Sequence, residues 1–145
     1  MFDKVIKFTV FGEPQSKLRA KARINRKSGT VYMYTPETTR NYEEGFAGQS
    51  LKSKPDSLIL GPIKIMVSIY RSPPKSLSRK DRELLESGLL FCIKKPDLDN
   101  YIKICLDAMR GIYFLDDNQI IEFLPKTGKY YNSNPRVEIE LHFDK

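Results

Sequence analysis

Strict alternation of apolar and polar residues recurs at three separated places, and it restricts the possible fold more than any other feature of the chain. Ile6, Phe8 and Val10 alternate with Lys7 and Thr9; Ile63, Ile65, Val67 and Ile69 alternate over a second stretch; Val137, Ile139, Leu141 and Phe143 do so over a third. A period of two puts one set of side chains on one face of a sheet, so each stretch predicts a half-buried strand. Gly12-Glu13-Pro14 closes the first, Ser72-Pro73-Pro74 stops the second, and Asn132-Ser133-Asn134-Pro135 turns into the third. Elsewhere the period changes. Ile102, Cys105, Leu106 and Met109 fall at i, i+3, i+4 and i+7, the stripe of an amphipathic helix that Gly111 ends. Thr35-Pro36-Glu37 offers an N-cap, a proline at the first helical position and an acid in the first turn, which predicts a helix to about Leu51 with Tyr42 and Phe46 facing inward. Ser78 with Asp81 three positions on resembles a capping box, Leu84 and Leu85 make a small apolar face, and Gly88 suits a helix end, so 73–90 reads as a short, lid-like helical insertion. Ile112 to Leu115 reads as a short apolar strand or turn, and Ile120 to Leu124 as a strand. The expected order is β, α, β, short α, α, β, β. The expected fold is a single α+β domain over 1–145, with a small mixed sheet packed by helices.

Charge narrows the partners. The 145 residues carry 25 Lys plus Arg against 18 Asp plus Glu, a net charge of +7, which favours a polyanionic partner. Six of those cations, Lys17, Arg19, Lys21, Arg23, Arg26 and Lys27, lie within eleven residues that hold few apolar anchors. The stretch from Ser16 to Gly29 therefore reads as a mobile basic loop or loose hairpin suited to phosphate contact. Lys94 and Lys95, and Lys126 and Lys129 beside Tyr130-Tyr131, are further candidate phosphate contacts, the tyrosines reading first as packing. Cys92 and Cys105 have no CxxC spacing and the start lacks a secretory signal, so reduced, structural thiols in the cytoplasm are expected. No apolar run approaches the roughly 20 residues needed to cross a bilayer, so no membrane partner is expected.

Against that background the acids around Asp97 stand out. Asp97-Leu98-Asp99-Asn100 lies at the start of the 102–109 helix, Lys103 follows one turn after Asp99, and Asp116-Asp117 comes beyond a short apolar segment. A focus of acid in a basic chain would repel a polyanion unless something neutralises it, and a divalent cation does so. Mg²⁺ takes one or two carboxylates, keeps waters and completes its shell with phosphate oxygens. At about 100° per residue Asp99 and Lys103 lie about 40° apart on one flank of the stripe, so both can face a cleft at the helix start. Asp97 and Asp99 can converge on one ion, Asp116 or Asp117 can add a third ligand, and Lys103 can stabilise charge at the scissile phosphate or protonate a leaving oxygen. The same residues also suit a plainer role, as helix-start acids and a surface i,i+4 pair worth a few tenths of a kcal/mol. Other metal sites fail on inventory. The EF-hand positions counted from Asp97 hold Ile102 and Ala108, and His142, the only histidine, alternates outward on the last strand as an ordinary surface residue.

Pro96-Asp97-Leu98-Asp99-Asn100-Tyr101-Ile102-Lys103, then Leu106-Asp107-Ala108, Gly111 and Asp116-Asp117-Asn118-Gln119-Ile120, resembles the RusA family of Holliday junction resolvases. Residues 94–141 carry the strong match. Gly12, Pro14, Lys17, Lys21, Arg23 and Tyr34-Thr35-Pro36 resemble the family's weaker N-terminal portion, and the Ser72–Leu90 excursion is longer than in its shortest members. The resemblance implies a RusA-like fold and a homodimer in which Asp97, Asp99 and Asp117 hold Mg²⁺, with Mn²⁺ as substitute, and Lys103 is the catalytic lysine. It implies a cytoplasmic, bacterial or phage-encoded endodeoxyribonuclease that resolves four-way junctions by paired symmetric nicks in recombination, repair or phage DNA processing. The competing expectation is a non-catalytic DNA-binding module that recognises branched DNA.

Overall fold

The computed structural model describes residues 1–144. Its centre is β4 (Ile63–Arg71), whose alternating residues Ile63, Ile65, Val67 and Ile69 are all fully buried. On one side β4 pairs antiparallel with β7 (Arg136–Phe143), which pairs antiparallel with β1 (Lys4–Phe11). The registers align Phe8, Ile139 and Val67 in one row and Val10, Val137 and Ile69 in the next. The predicted buried faces therefore fall on one side of one sheet, because the period-two patterns are in phase across it.

On its other side β4 pairs in parallel with β5 (Ile120–Phe123) at its start and with β6 (Gly128–Tyr131) at its end. Leu124 N–H donates to the Ile65 carbonyl, Thr127 Oγ1 accepts from Val67 N–H, and Ser68 Oγ donates to the Lys126 carbonyl, stitching the interruption between the two short strands to β4. Parallel neighbours need a crossover. The chain between β4 and β5 supplies it as α2 (Arg79–Glu86) and α3 (Leu98–Met109), so the mixed sheet follows from the helices that interrupt it.

Helix α1 (Glu37–Ser50) packs beside α3 over the buried face. Phe46 is buried, Tyr42 is half-buried against it, and Phe8 stacks on Tyr113 at 5.1 Å while meeting Phe46 edge-on at 5.9 Å. Tyr113 also donates its hydroxyl to the Ser50 carbonyl at 2.6 Å, which satisfies a polar group at the end of α1. Buried residues on α3 are Tyr101, Ile104, Cys105, Leu106, Ala108 and Met109, a wider face than the predicted stripe because α3 packs against α1 as well as into the common core.

Some expectations are sharpened and others amended. The basic stretch is a regular hairpin of β2 (Lys21–Ile24) and β3 (Val31–Tyr34), forming its own two-stranded sheet. Strand β6 was not anticipated, because Gly128-Lys129-Tyr130-Tyr131 lacks alternation. Residues 112–115 form a turn, tied by single bridges from Phe114 to Ile59 and Arg110. Ser78 caps α2 by accepting from Asp81 N–H, and α2 buries no side chain. His142 does face away from the helices and lies 2.6 Å from Glu140 Oε1. Among the described residues no helix is long and apolar enough to cross a membrane.

Candidate active site

Helix α3 presents its charges in one line. Asp99, Lys103, Asp107 and Arg110 recur at three- and four-residue steps, the spacing that stacks side chains on one helical flank. From Ile104 onward the other positions of the helix are buried, so there this line is the part of α3 open to chemistry. Asp97 is the N-cap residue and its side chain makes no capping bond; it is exposed, as is Asp99 in the first turn. Arg71 and Lys129 fix the approach: Arg71 donates to the Lys94 carbonyl at 3.2 Å, and Lys129 to the carbonyls of Lys94 and Pro96 at 2.9 and 3.0 Å.

Further along α3 the charges close into a network. Lys103 Nζ donates to Asp117 Oδ2 at 2.8 Å and lies 3.3 Å from Asp107; Arg110 lies 3.2 Å from Asp107 and 3.3 Å from Asp117. Lys17, from the segment after β1, reaches Asp107 at 3.0 Å and Glu43 of α1 at 3.1 Å. The bond from Lys103 is the chief reason that the Asp117 carboxyl titrates at about 2, and it likewise raises Lys103 above the ordinary lysine value against the opposing effect of burial. Burial works to lower Lys17 as well, but its hydrogen bonds to Asp107 and Glu43 prevail and its pKa rises. At neutral pH Asp117, Lys103 and Lys17 are therefore all charged.

Of the acid pair, Asp116 is occupied with local structure. Its side chain accepts from Asn118 N–H in a capping box whose other member is Gln119. Gln119 Oε1 accepts from the N–H groups of Leu115 and Asp116, and its amide donates to the carbonyls of Ile59 and Gly61 at 2.7 and 3.0 Å. That bracket fixes the acid turn to the segment before β4 and leaves Asp117 to face α3.

The carboxylates supply hard oxygen donors, and a Mg²⁺ ion needs only one or two of them beside water and phosphate oxygens, so Asp97 and Asp99 fit such an ion by donor chemistry. Asp117 lies along the second and third turns of α3, clamped by Lys103 and Arg110, and among the described residues no three acid, histidine or cysteine side chains are gathered to hold a metal. The structure thus brings Asp117 to Lys103 and Arg110.

The candidate DNA contacts divide the same way. Arg19 and Lys95 line a cleft of about 370 Å³ with Asp97 and Asn100. Lys21 and Arg23 are on the hairpin strands, Arg26 and Lys27 at its exposed tip. Lys17 and Lys129 are engaged within the protein, Lys94 is exposed, and Lys126 borders a depression on the sheet face away from the helices. Asp107, Arg110, Glu43 and Gln119 went unread as site residues. The alternating charges at 99, 103, 107 and 110 were visible in the sequence, whereas Glu43 and Lys17 meet them only through the fold.

Comparison with known proteins identifies the family. The chain is 38% identical over 138 residues, 94% of its own length and of the relative's, to the uncharacterized protein YqaN of Bacillus subtilis (strain 168). Residues 12–142 match the family described as Endodeoxyribonuclease RusA, a span that begins just after β1 and takes in the hairpin, all three helices and nearly the whole of β7. With that span covered, the chain belongs to the RusA endodeoxyribonuclease family, and a nuclease-type function in DNA metabolism goes with it.

Proposed function

We propose that the protein is a Mg²⁺-dependent, structure-selective endodeoxyribonuclease that acts as a homodimer on four-way DNA junctions and introduces paired symmetric nicks. The observation that carries this reading is the single flank of α3, where the free carboxylates of Asp97 and Asp99 precede an ammonium held by Asp117 at 2.8 Å. Asp97 and Asp99 would hold the ion, with Asp117 as the third ligand once released from its cations. When bound, the ion supplies a Lewis acid that activates water and stabilises the charge of the phosphoryl transition state.

Lys103 is set for an electrostatic role. Its raised pKa keeps it protonated, so it offers a fixed positive charge to a phosphate oxygen more readily than a proton. Asp107 orients it: with Lys17, Lys103 and Arg110 all within 3.3 Å, that carboxylate restrains each cation on the same flank. Arg19 and Lys95, beside Asp97 in the cleft, are placed to neutralise the flanking phosphates. A C₂ dimer presents one such site to each of two symmetry-related strands, which is what paired nicking requires.

The test is cleavage of a labelled synthetic four-way junction in Mg²⁺, Mn²⁺, Ca²⁺ or EDTA, beside a linear duplex of the same sequence. Paired nicks on the junction with Mg²⁺ or Mn²⁺, absent in EDTA, on duplex and in Asp99→Asn, support the reading. Nicking retained by Asp99→Asn sinks it. The clamp on Asp117 favours one rival, a non-catalytic module for branched DNA, and tight junction binding without nicking in any metal would establish that instead.

A further inference from the structure

The β2–β3 hairpin has two chemically distinct faces. Residues directly opposite each other in an antiparallel pair share a face, and the register sets Lys21 against Tyr34 and Arg23 against Tyr32, with Ala22 against Met33 and Ile24 against Val31 on the reverse. One face is thus two cations and two tyrosines; the other is wholly apolar. Every residue of the two strands is exposed except half-buried Tyr34, so the tyrosines are not there to fill a core. Tyr32 is 47% exposed, and the Arg23 guanidinium lies 4.8 Å from the centroid of the Tyr34 ring. That contact orders the arginine while leaving its donors outward.

The hairpin is also aimed. Its root is tied to the candidate active site by Lys17 N–H donating to the Asn100 carbonyl at 3.0 Å and Leu18 N–H donating to Thr39 Oγ1 at 3.2 Å. Its tip is shaped by Asn25, whose backbone N–H donates to the Thr30 carbonyl at 2.8 Å and whose side chain accepts from Lys27 N–H at 3.0 Å. Four-residue strands project about 13 Å from the root, a reach of a few nucleotides.

We propose that the Lys21, Arg23, Tyr32 and Tyr34 face is a binding surface for unpaired nucleotides of DNA, on which Tyr32 stacks against a base while Lys21 and Arg23 hold the adjacent phosphates. The substrate class rests on the nuclease reading above. The chemistry favours unpaired over duplex DNA because a tyrosine ring stacks only on a base whose π-face is free, and duplex bases present their edges. Charge alone would accept either form, so the tyrosines are what give the face its preference.

The test uses the full chain and fluorescence anisotropy in EDTA with three labelled probes: a single-stranded oligonucleotide, a four-way junction and a linear duplex. Tyr32→Ala is expected to weaken single-strand and junction binding by about tenfold with duplex binding unchanged, while Tyr32→Phe, which keeps the ring, binds like the wild type. Iodouracil placed in the single strand should photo-cross-link to Tyr32, located by mass spectrometry. Equal losses for Tyr32→Ala and Tyr32→Phe, an equal loss on duplex, or unchanged binding by Tyr32→Ala would each overturn the proposal. Nicking by the wild type is scored separately in Mg²⁺. A chain that nicks without Tyr32 dependence sinks the hairpin proposal alone, and one that never nicks yet cross-links through Tyr32 sinks the nuclease reading alone.

Discussion

Helix α3 and the β2–β3 hairpin handle charge in opposite ways. On α3, Lys103, Asp107 and Arg110 ride a helix whose other sides are sealed, with Ile104 and Met109 fully buried, and the cations meet carboxylates at 2.8 to 3.3 Å. On the hairpin, Lys21 and Arg23 stand on strands that bury nothing, and Ile24, Val31 and Met33 are each more than 60% exposed. Reacting groups need placement to within a fraction of an ångström, which packing supplies. A surface that gathers a long polyanion needs reach and unpaired charge instead. The division teaches that one basic chain can carry rigid and compliant cations for different purposes.

Core substitution should separate the regions most sharply. Ile104→Ala removes fully buried atoms from under the charged flank and is expected to cost about 2–5 kcal/mol, whereas Ile24→Ala on the hairpin should stay within about 0.5 kcal/mol. Urea unfolding of both variants measures this, and comparable losses would mean that the hairpin packs on something in solution. Next in size is Lys103→Ala, which removes the charge held against Asp117. Nicking should fall on the order of 10²–10³-fold with junction affinity little changed, as for loss of one transition-state donor. Arg23→Ala should do the reverse, weakening binding more than the rate at saturation.

How much of this was legible depends on whether a residue's partner is near it in sequence. The strands β1, β4 and β7 and helix α3 announce themselves through period, because burial on one face repeats every two or about 3.6 residues. Asp97, Asp99 and Lys103 could be proposed for a related reason, being a few residues apart at the start of one helix. The engagement of Lys17 with Asp107 could not be, since it joins positions far apart in the chain, and Lys17 read simply as one of six cations. Strand β6 was hidden because its residues line the edge of the long strand β4 without a buried face of their own. Gln119 was seen within a motif, yet its work is done by bonds to Ile59 and Gly61 that only the fold brings near.

That bracket offers a middle-sized effect. Gln119→Ala leaves two N–H groups and two carbonyls around the acid turn without their present partner, and about 1–3 kcal/mol of stability should go with it. If Gln119 only braces the fold, nicking by the variant at a temperature where it is fully folded should match the wild type. A lower rate at that temperature, with binding intact, assigns it the placement of Asp117.

The smallest effect concerns pH, and it tests whether the α3 network is as tightly paired as its distances suggest. Asp117 titrates at about 2 in the folded chain, below the roughly 3.9 of a free aspartate, so its contribution to stability is present above about pH 4 and is lost as pH falls toward 2. Lys103 is shifted upward, so its contribution is complete below the ordinary lysine value and is lost only as pH rises through the raised one. Between about pH 5 and 9 neither group changes charge, and the network should be flat there. Asp117→Asn should therefore lower the thermal midpoint by a constant small amount across that plateau, small because the partners are partly solvated. The gap between variant and wild type should then close between about pH 4 and 2. A gap that persists unchanged to pH 2 would mean the substitution acts through the turn's shape and not through its charge, and the contrast between a paired α3 and an unpaired hairpin would lose its electrostatic half.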